Sequence, residues 1–469
     1  MSSTTRAEES STTRAEESST TRAEESSTTR AWGARLAKAA VALSAAAVVL
    51  LGGCASGDGQ EPPGDAAATS EQLSPFQRER HDSVDALLAS WATALQDDDE
   101  DALRGLIDAH AAPGFLESQL ELARNLATVD FADFGFHIGD DPEVFVPAPI
   151  AKRLGAIDSW GPPVYLDFRI EGVDEAMIHT PVGLITARHG DHWTLVSTRE
   201  LQDGTHATLP AGPWGYGPVT QTPVHIDGAG GSLVLSHPAD GAEADRVREM
   251  LPGAVAAVSD FWGTQWDRTM VVEIADSADE FSGLTGNPAG RTDVAAATIS
   301  LDSDTPGHGQ RIVFAPGALS RMPADDAHMV LQHELAHAAV RTHVGRGAPT
   351  WLLEGTADYV AQRPVGGAPP PAPVPLVAAM VSAHGAPDEL PQNKDFTGAN
   401  AALAYELARS AADYIVATYG EDGLRAVHKA LGAGGLDPAA QDEALNKAIG
   451  VTMNEFAGGW SQWLGGRFG

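Results

Sequence analysis

The chain of 469 residues has one cysteine, Cys54, and only 30 Lys+Arg against 64 Asp+Glu. A single cysteine excludes an intramolecular disulfide, a CxxC zinc ribbon, a cysteine-bound iron–sulfur cluster and dithiol redox chemistry. Any metal must therefore be held by His, Asp or Glu. The shortage of basic residues leaves a formal charge of −34, which repels nucleic-acid phosphates and anionic lipid headgroups, so nucleic acid is not expected as a partner. Gly-rich segments such as Gly228–Ser232 lack the Lys-Ser/Thr of a phosphate-binding loop and read as turns. Apolar residues nevertheless make up 43% of the chain, close to the globular average, which suits two or three domains with hydrophobic cores.

The N-terminal region is of another kind. The octapeptide SSTTRAEE fills Ser2–Glu9, Ser10–Glu17 and Ser18–Glu25 and begins again at Ser26. It has no large apolar residue to bury, so residues 1–30 are expected to be disordered, as a solvated leader or as low-complexity sequence. Arg30, Arg35 and Lys38 then precede an uncharged run of 15 residues, Ala39–Gly53. That run is short for the roughly 20 residues that span a bilayer and reads as an export signal over 31–53. It ends in Leu51-Gly52-Gly53-Cys54, which resembles the lipobox of bacterial lipoproteins. The resemblance implies lipidation of Cys54 and a protein anchored to the cell membrane, facing away from the cytoplasm. The Gly/Ser/Pro/Ala-rich stretch 54–75 suits a flexible tether. Residues 1–53 carry six basic and six acidic side chains, so the 416 residues from Cys54 onward carry the whole −34.

Between Pro75 and Ala207, helical periodicity comes first. Val84, Leu87, Leu88, Trp91 and Leu95 share one face of a helix over His81–Leu95, and a second helical stretch, Glu100–Ala109, follows the acidic break at Asp97–Asp99. Strand-like alternation then runs through Val164–Val173, Glu175–Gly190 and His192–Leu201. Helices followed by a meander resemble the α+β roll of the nuclear-transport-factor-like superfamily. That superfamily hosts enzymes and interaction modules alike, so a spacer or protein-binding role is expected of an accessory domain over 76–207. After the Pro/Gly boundary Pro210–Pro218 the pattern restarts with a helix, Ala242–Trp262, and strands at Thr269–Ile274, Val294–Leu301 and Gln310–Pro316. From Asp325 the chain reads as helical apart from the Pro-rich loop Pro364–Pro375. Strands followed by helices, not alternating with them, again predict an α+β fold, over 208–469.

Within the helix that opens near Asp325 lies His333-Glu334-Leu335-Ala336-His337. Two His four apart share a helical face, so both imidazoles can reach one cation, and Glu334 can aim its carboxylate at a water on it. Downstream comes PTWLLEGTADY, Pro349–Tyr359. A catalytic zinc site needs a third protein ligand, and Glu354, with 16 residues between it and His337, can supply it if the chain returns antiparallel. One turn further on, Asp358 can accept an N–H from a ligand His, or can itself serve as the third ligand.

HELAH followed by P-x-W-L-x-E-G-x-A-D-Y resembles the gluzincin metallopeptidases, and among them the bacterial peptidase-MA-like domains. The resemblance extends more weakly over Leu233–Trp463. It implies a zincin-like fold, one zinc ion held by His333, His337 and Glu354, Glu334 as general base and Asp358 hydrogen-bonded to a ligand His. It also implies an oxyanion donor, for which Tyr405 is the candidate; its other reading is a half-buried core aromatic. The strand around Gln310–Phe314, preceding the active-site helix, is expected to be the cleft edge that pairs with an extended peptide or protein substrate. The expected activity is peptide-bond hydrolysis by an exported, lipid-anchored zinc metallopeptidase; the alternative is a catalytically idle zincin-fold scaffold lipoprotein. His308, His328, His343 and His384 form no second metal spacing and are read as surface or loop residues. Phe456, Trp460 and Trp463 have the near-helical spacing of packing aromatics.

Overall fold

Residues 74–198, 212–286, 294–301, 307–367, 372 and 374–469 are described by a computed structural model. The octapeptide repeat, the export signal, Cys54 and nearly all of the tether lie outside the described residues. The fold is mixed α+β, with small sheets, and divides into two compact units. One holds the described residues up to 342 except 294–295; the other holds those two and His343–Gly469. The first unit thus joins the described residues 76–198 to the sheet that follows them.

That unit opens with α1 (Pro75–Gln96), which starts six residues before the periodicity predicts. The reason is a capping box: the Gln77 N–H donates to the Ser74 hydroxyl, and the Gln77 side chain accepts the Ser74 N–H. Next come α2 (Glu100–Leu106), capped by Asp99, α3 (Phe115–Leu126), β1 (Phe131–Ile138), α4 (Ala148–Leu154), β2 (Asp158–Trp160) and β3 (Pro163–Ile170). The segment expected as one alternating stretch, Glu175–Gly190, breaks at Leu184 into β4 (Ile178–Gly183) and β5 (Ile185–His189). They enter different antiparallel sheets, β1-β3-β4 and β2-β5-β6, the last strand being His192–Ser197. Trp91 of α1 is fully buried, stacks on Phe136 with centroids 4.1 Å apart, and donates its indole N–H to Gln119. The same core takes in Phe168 and Trp214 and continues through Leu233, Leu235 and Val271. Burying side chains of this size supplies about 1.5–3 kcal/mol each.

Those last three residues belong to a five-stranded sheet of order β10-β11-β9-β8-β7. Its strands are β7 (Thr220–His225), β8 (Gly231–Ser236), β9 (Val271–Ile274), β10 (Ala296–Ser300) and β11 (Gln310–Phe314). Gly228 turns the β7–β8 hairpin with a φ of 68°, as the GAGGS reading expects. The helices of this part are α5 (Gly241–Trp262), α6 (Ala278–Thr285), α7 (Ala318–Arg321) and α8 (Ala324–Val340). One expectation is corrected here. Gln310–Phe314 is not the edge strand; it lies between β9, its parallel partner, and β10, antiparallel to it. Ile312, Val313 and Phe314 are wholly buried, and a continuous apolar run marks a strand covered on both faces. The edge is β10.

A charge cluster is sealed inside this unit. Arg311 donates through Nη2 to both oxygens of Asp174 at 2.9 Å, and its Nε lies 3.8 Å from Glu273. Because Asp174 takes the closer contact, burial dominates at Glu273 and, with the Glu280 and Asp174 charges, pushes its carboxyl up to about 7 despite Arg311. Nearby, His237 sets Nδ1 against the Pro218 carbonyl and Nε2 2.9 Å from Glu280, two acceptors that favour the protonated imidazole. The hydrogen bond to Glu280 raises its pKa above the ordinary value.

In the second unit, α9 (Thr350–Ala361), α10 (Pro375–His384), α11 (Ala401–Gly432), α12 (Pro438–Ile449) and α13 (Met453–Phe468) pack together, and α11 bends at Gly420, whose φ is 76°. Phe456 and Trp460 are buried, as their spacing predicts, with the Trp460 indole donating to Ser410. Among the described residues no helix is long and apolar enough to cross a membrane.

Both raised groups hold a proton more tightly folded than unfolded, so their stabilising contribution is complete at low pH and fades as pH rises through the folded pKa. For Glu273 the window runs from its ordinary 4.5 to about 7, and the loss approaches about 3 kcal/mol. Urea unfolding at pH 5 and pH 7.5 is expected to show the wild type less stable at the higher pH. Glu273→Gln should reduce that difference, with His237 among the groups that account for the rest.

Candidate metal centre

Helix α8 begins after Pro323 with Asp325 and Asp326 in its first turn, where carboxylates meet the positive end of the helix. From Val330 to Val340 every residue is buried. Among them are His333, fully enclosed, Glu334, 2% exposed, and His337, 7% exposed. The i, i+4 spacing brings the two Nε2 atoms to 3.1 Å, with the rings edge to face. Two zinc–nitrogen bonds of 2.0–2.1 Å at a tetrahedral angle would hold the same atoms about 3.3 Å apart, so the pair fits a cation of that size. His333, His337 and Glu354 are candidate metal-binding groups.

Glu334 is held from the sheet. Thr298, on the edge strand β10, places its hydroxyl 2.8 Å from Glu334 Oε2 and 3.0 Å from the Glu334 carbonyl. A hydrogen bond to a charged carboxylate is worth about 1.5–3 kcal/mol, and here it fixes one oxygen and leaves Oε1 outside the bond. Gln310 of β11 also donates to the Ala338 carbonyl of α8 at 3.3 Å. Thr298 is the residue the sequence did not reveal, because a threonine in a strand has no local mark of a partner 36 residues away. His328, expected at the surface or in a loop, is instead half-buried on α8, and burial pushes its imidazole below the ordinary value. His308, His343 and His384 are exposed as expected.

In the second unit α9 carries Glu354, 1% exposed, and one turn later the half-buried Asp358. Three contacts set the helix. Trp351 stacks on Phe456 at 5.7 Å. Arg409 of α11, itself buried, donates to the Asp358 carbonyl at 2.7 Å and to Asp413 at 3.0 Å. At the C-terminal end, Tyr359 and Arg363 both donate to Glu421, at 2.9 and 2.8 Å. Burial, then that bond to Glu421, holds the Tyr359 phenol well above its usual pKa. Between them Gly355 faces the backbone of α11, where an added Cβ would lie 2.2 Å from the Ala408 carbonyl oxygen. Tyr405 lies near the start of α11, buried with its ring edge-on to Phe396 at 5.1 Å.

No protein-family model matches the chain, and no curated protein matches it. Among solved structures it is similar to the M1 zinc metallopeptidase from Deinococcus radiodurans, at 15% identity and a TM-score of 0.32, covering 60% of this chain and 59% of that one. A mutant M1 zinc metallopeptidase from the same organism, bound to a Tyr-Ser-Ala substrate, matches at 14% identity and a TM-score of 0.29, covering 59% and 58%. The chain spans less than two thirds of the length of these structures. Its structural neighbours are thus M1 zinc metallopeptidases, at low identity and partial coverage.

Gly355→Ala separates two opposing effects. Helix propensity alone would stabilise α9 by about 1 kcal/mol, whereas overpacking against α11 costs about 1–3 kcal/mol. The contact distance favours the second, so thermal unfolding is expected at a lower temperature than in the wild type.

Proposed function

We propose that the chain is a zinc metallopeptidase in which His333, His337 and Glu354 hold one zinc ion and Glu334 is the general base. The observation that carries this reading is the buried pair of imidazole nitrogens 3.1 Å apart, beside a carboxylate fixed by Thr298. A solvated structural helix would have no reason to enclose three such side chains, since uncompensated burial of polar groups costs several kcal/mol. Zinc bound there would act as a Lewis acid toward the scissile carbonyl and would acidify water toward a pKa of about 7.

The rest is the work of the chain's own groups. Glu334 takes a proton from the attacking water as its oxygen bonds to the carbonyl carbon, then delivers that proton to the amine nitrogen as the C–N bond breaks. Thr298 keeps Oε2 engaged, so the proton travels through Oε1. Tyr405 donates its hydroxyl to the developing oxyanion, and Asp358 orients a ligand imidazole. The edge strand β10 offers its outer main chain to an extended substrate, which suits peptides of varied sequence. Export on the 31–53 signal and lipidation at Cys54 would place this activity at the outer face of the cell membrane, with the tether as spacer.

Three measurements test the reading. Glu334→Gln is expected to keep the wild-type zinc content while hydrolysis of unfolded protein or peptide falls by 10²-fold or more, in the range general base catalysis supplies. His333→Ala/His337→Ala should lose one zinc equivalent and all hydrolysis. Equal turnover by wild type and Glu334→Gln would instead leave a zinc-holding scaffold. Comparing zinc affinity in Glu354→Gln and Asp358→Asn decides the third ligand: the larger loss is expected for Glu354.

A further inference from the structure

The outward face of the β1-β3-β4 sheet carries another group of ligating side chains. His137 lies on β1, Asp167 on β3 and His179 on β4. The register sets Asp167 directly opposite His179 on one side and opposite Gly135, two residues from His137, on the other. Strand alternation sends Phe134, Phe136, Leu166, Phe168 and Ile178 into the core, so the intervening residues face outward. His137 Nδ1 and His179 Nδ1 each stand 2.6 Å from a different oxygen of Asp167. One ligand atom from each of the three lies within 4.8 Å of the others. The side chains of His137, Asp167 and His179 are 44%, 20% and 49% exposed, so solutes reach them.

The group is also supported from behind. The His137 ring lies flat against Tyr165, with centroids 5.3 Å apart and planes within 13°, and the Tyr165 hydroxyl donates to Asp141. Gly139 makes this possible, because a Cβ there would sit 2.6 Å from the Tyr165 ring. The His179 ring meets His137 edge-on at 5.6 Å. Adjacent strands thus fix the backbones, and stacking fixes one ring, which is how outer contacts orient metal ligands.

We propose that His137, Asp167 and His179 form a second metal site, for a divalent transition cation such as zinc(II) or copper(II). Two imidazole nitrogens and one carboxylate suit these ions, whereas calcium and magnesium favour all-oxygen sets. Without metal, Asp167 accepts an N–H from each imidazole. On binding, the cation takes the place of the proton at each Nδ1, and that proton passes to Nε2 of the same ring, so each imidazole binds through Nδ1 with its N–H at Nε2. Bonds of about 2.0–2.2 Å at a tetrahedral angle require each imidazole nitrogen and its carboxylate oxygen, now 2.6 Å apart, to part by roughly 0.7 Å, within reach of exposed side chains on a fixed sheet. The ion would tie three strands together and keep a coordination position open to solvent. The site stands entirely in the first unit and depends on neither Glu354 nor the assignment of α8.

Equilibrium dialysis of the full chain against zinc, followed by metal analysis, tests the proposal. The wild type is expected to hold one equivalent more than His137→Ala/His179→Ala, with hydrolysis unchanged in that variant. His333→Ala/His337→Ala should retain the equivalent that His137→Ala/His179→Ala loses. Zinc should also raise the unfolding temperature of His333→Ala/His337→Ala more than that of a variant lacking all four histidines. Asp167→Asn, which keeps the shape of the group but removes the carboxylate, is expected to weaken binding at least tenfold and serves if the double variant misfolds. Equal zinc content in the wild type, His137→Ala/His179→Ala and Asp167→Asn would overturn the proposal and leave a hydrogen-bonded trio only.

Discussion

Enclosing two imidazoles and a carboxylate in the buried run Val330–Val340 is the constraint on which the rest of the first unit turns. Polar groups withdrawn from water need partners, and a helix cannot supply them from its own backbone, which is already engaged. They come from across the fold. Thr298 on the edge strand answers Glu334, and the two imidazoles answer each other at 3.1 Å. A five-stranded sheet with β10 at its border is therefore more than a platform. It delivers one hydroxyl to one carboxylate, and the register of β10 against β11 decides whether that hydroxyl arrives.

What the sequence made legible follows from where its signals are local. The HELAH spacing, the amphipathic face of α1, the aromatic spacing of α13 and the strands β9, β10 and β11 lie in contiguous residues, and the structure has helices and strands there. Several other elements gave no such signal, α3 and β1 among them. Helix α3 starts behind Gly114 with no capping side chain. Strand β1 carries a register irregularity between Phe131 and Asp133 that interrupts strict alternation. Long-range facts were illegible for a different reason. Whether Gln310–Phe314 is an edge or an inner strand depends on β10 folding back beside it, and its continuous apolar character was the one available clue. The buried Arg311–Asp174 pair spans 137 positions and has no local mark at either end.

That pair bears on how the first unit holds together. Asp174 follows β3, in the region expected to be a separate accessory domain, while Arg311 belongs to the sheet beneath α8. Leu233, Leu235 and Val271 share one hydrophobic core with Trp91 and Phe168. The Pro/Gly boundary at Pro210–Pro218 marks a change of pattern along the chain, yet Trp214 within it is buried in that same core. A composition break and a physical break are different things, and only buried contacts tell them apart.

The second unit has its own tolerance, set by the absence of a side chain. At Gly355 the distance between two helical backbones is governed by a hydrogen atom, and the neighbouring Glu354 inherits its position from that spacing. The residue with least chemistry in the segment thus acts as its ruler: the acid beside it can be exchanged and measured, but its placement is graduated by the glycine.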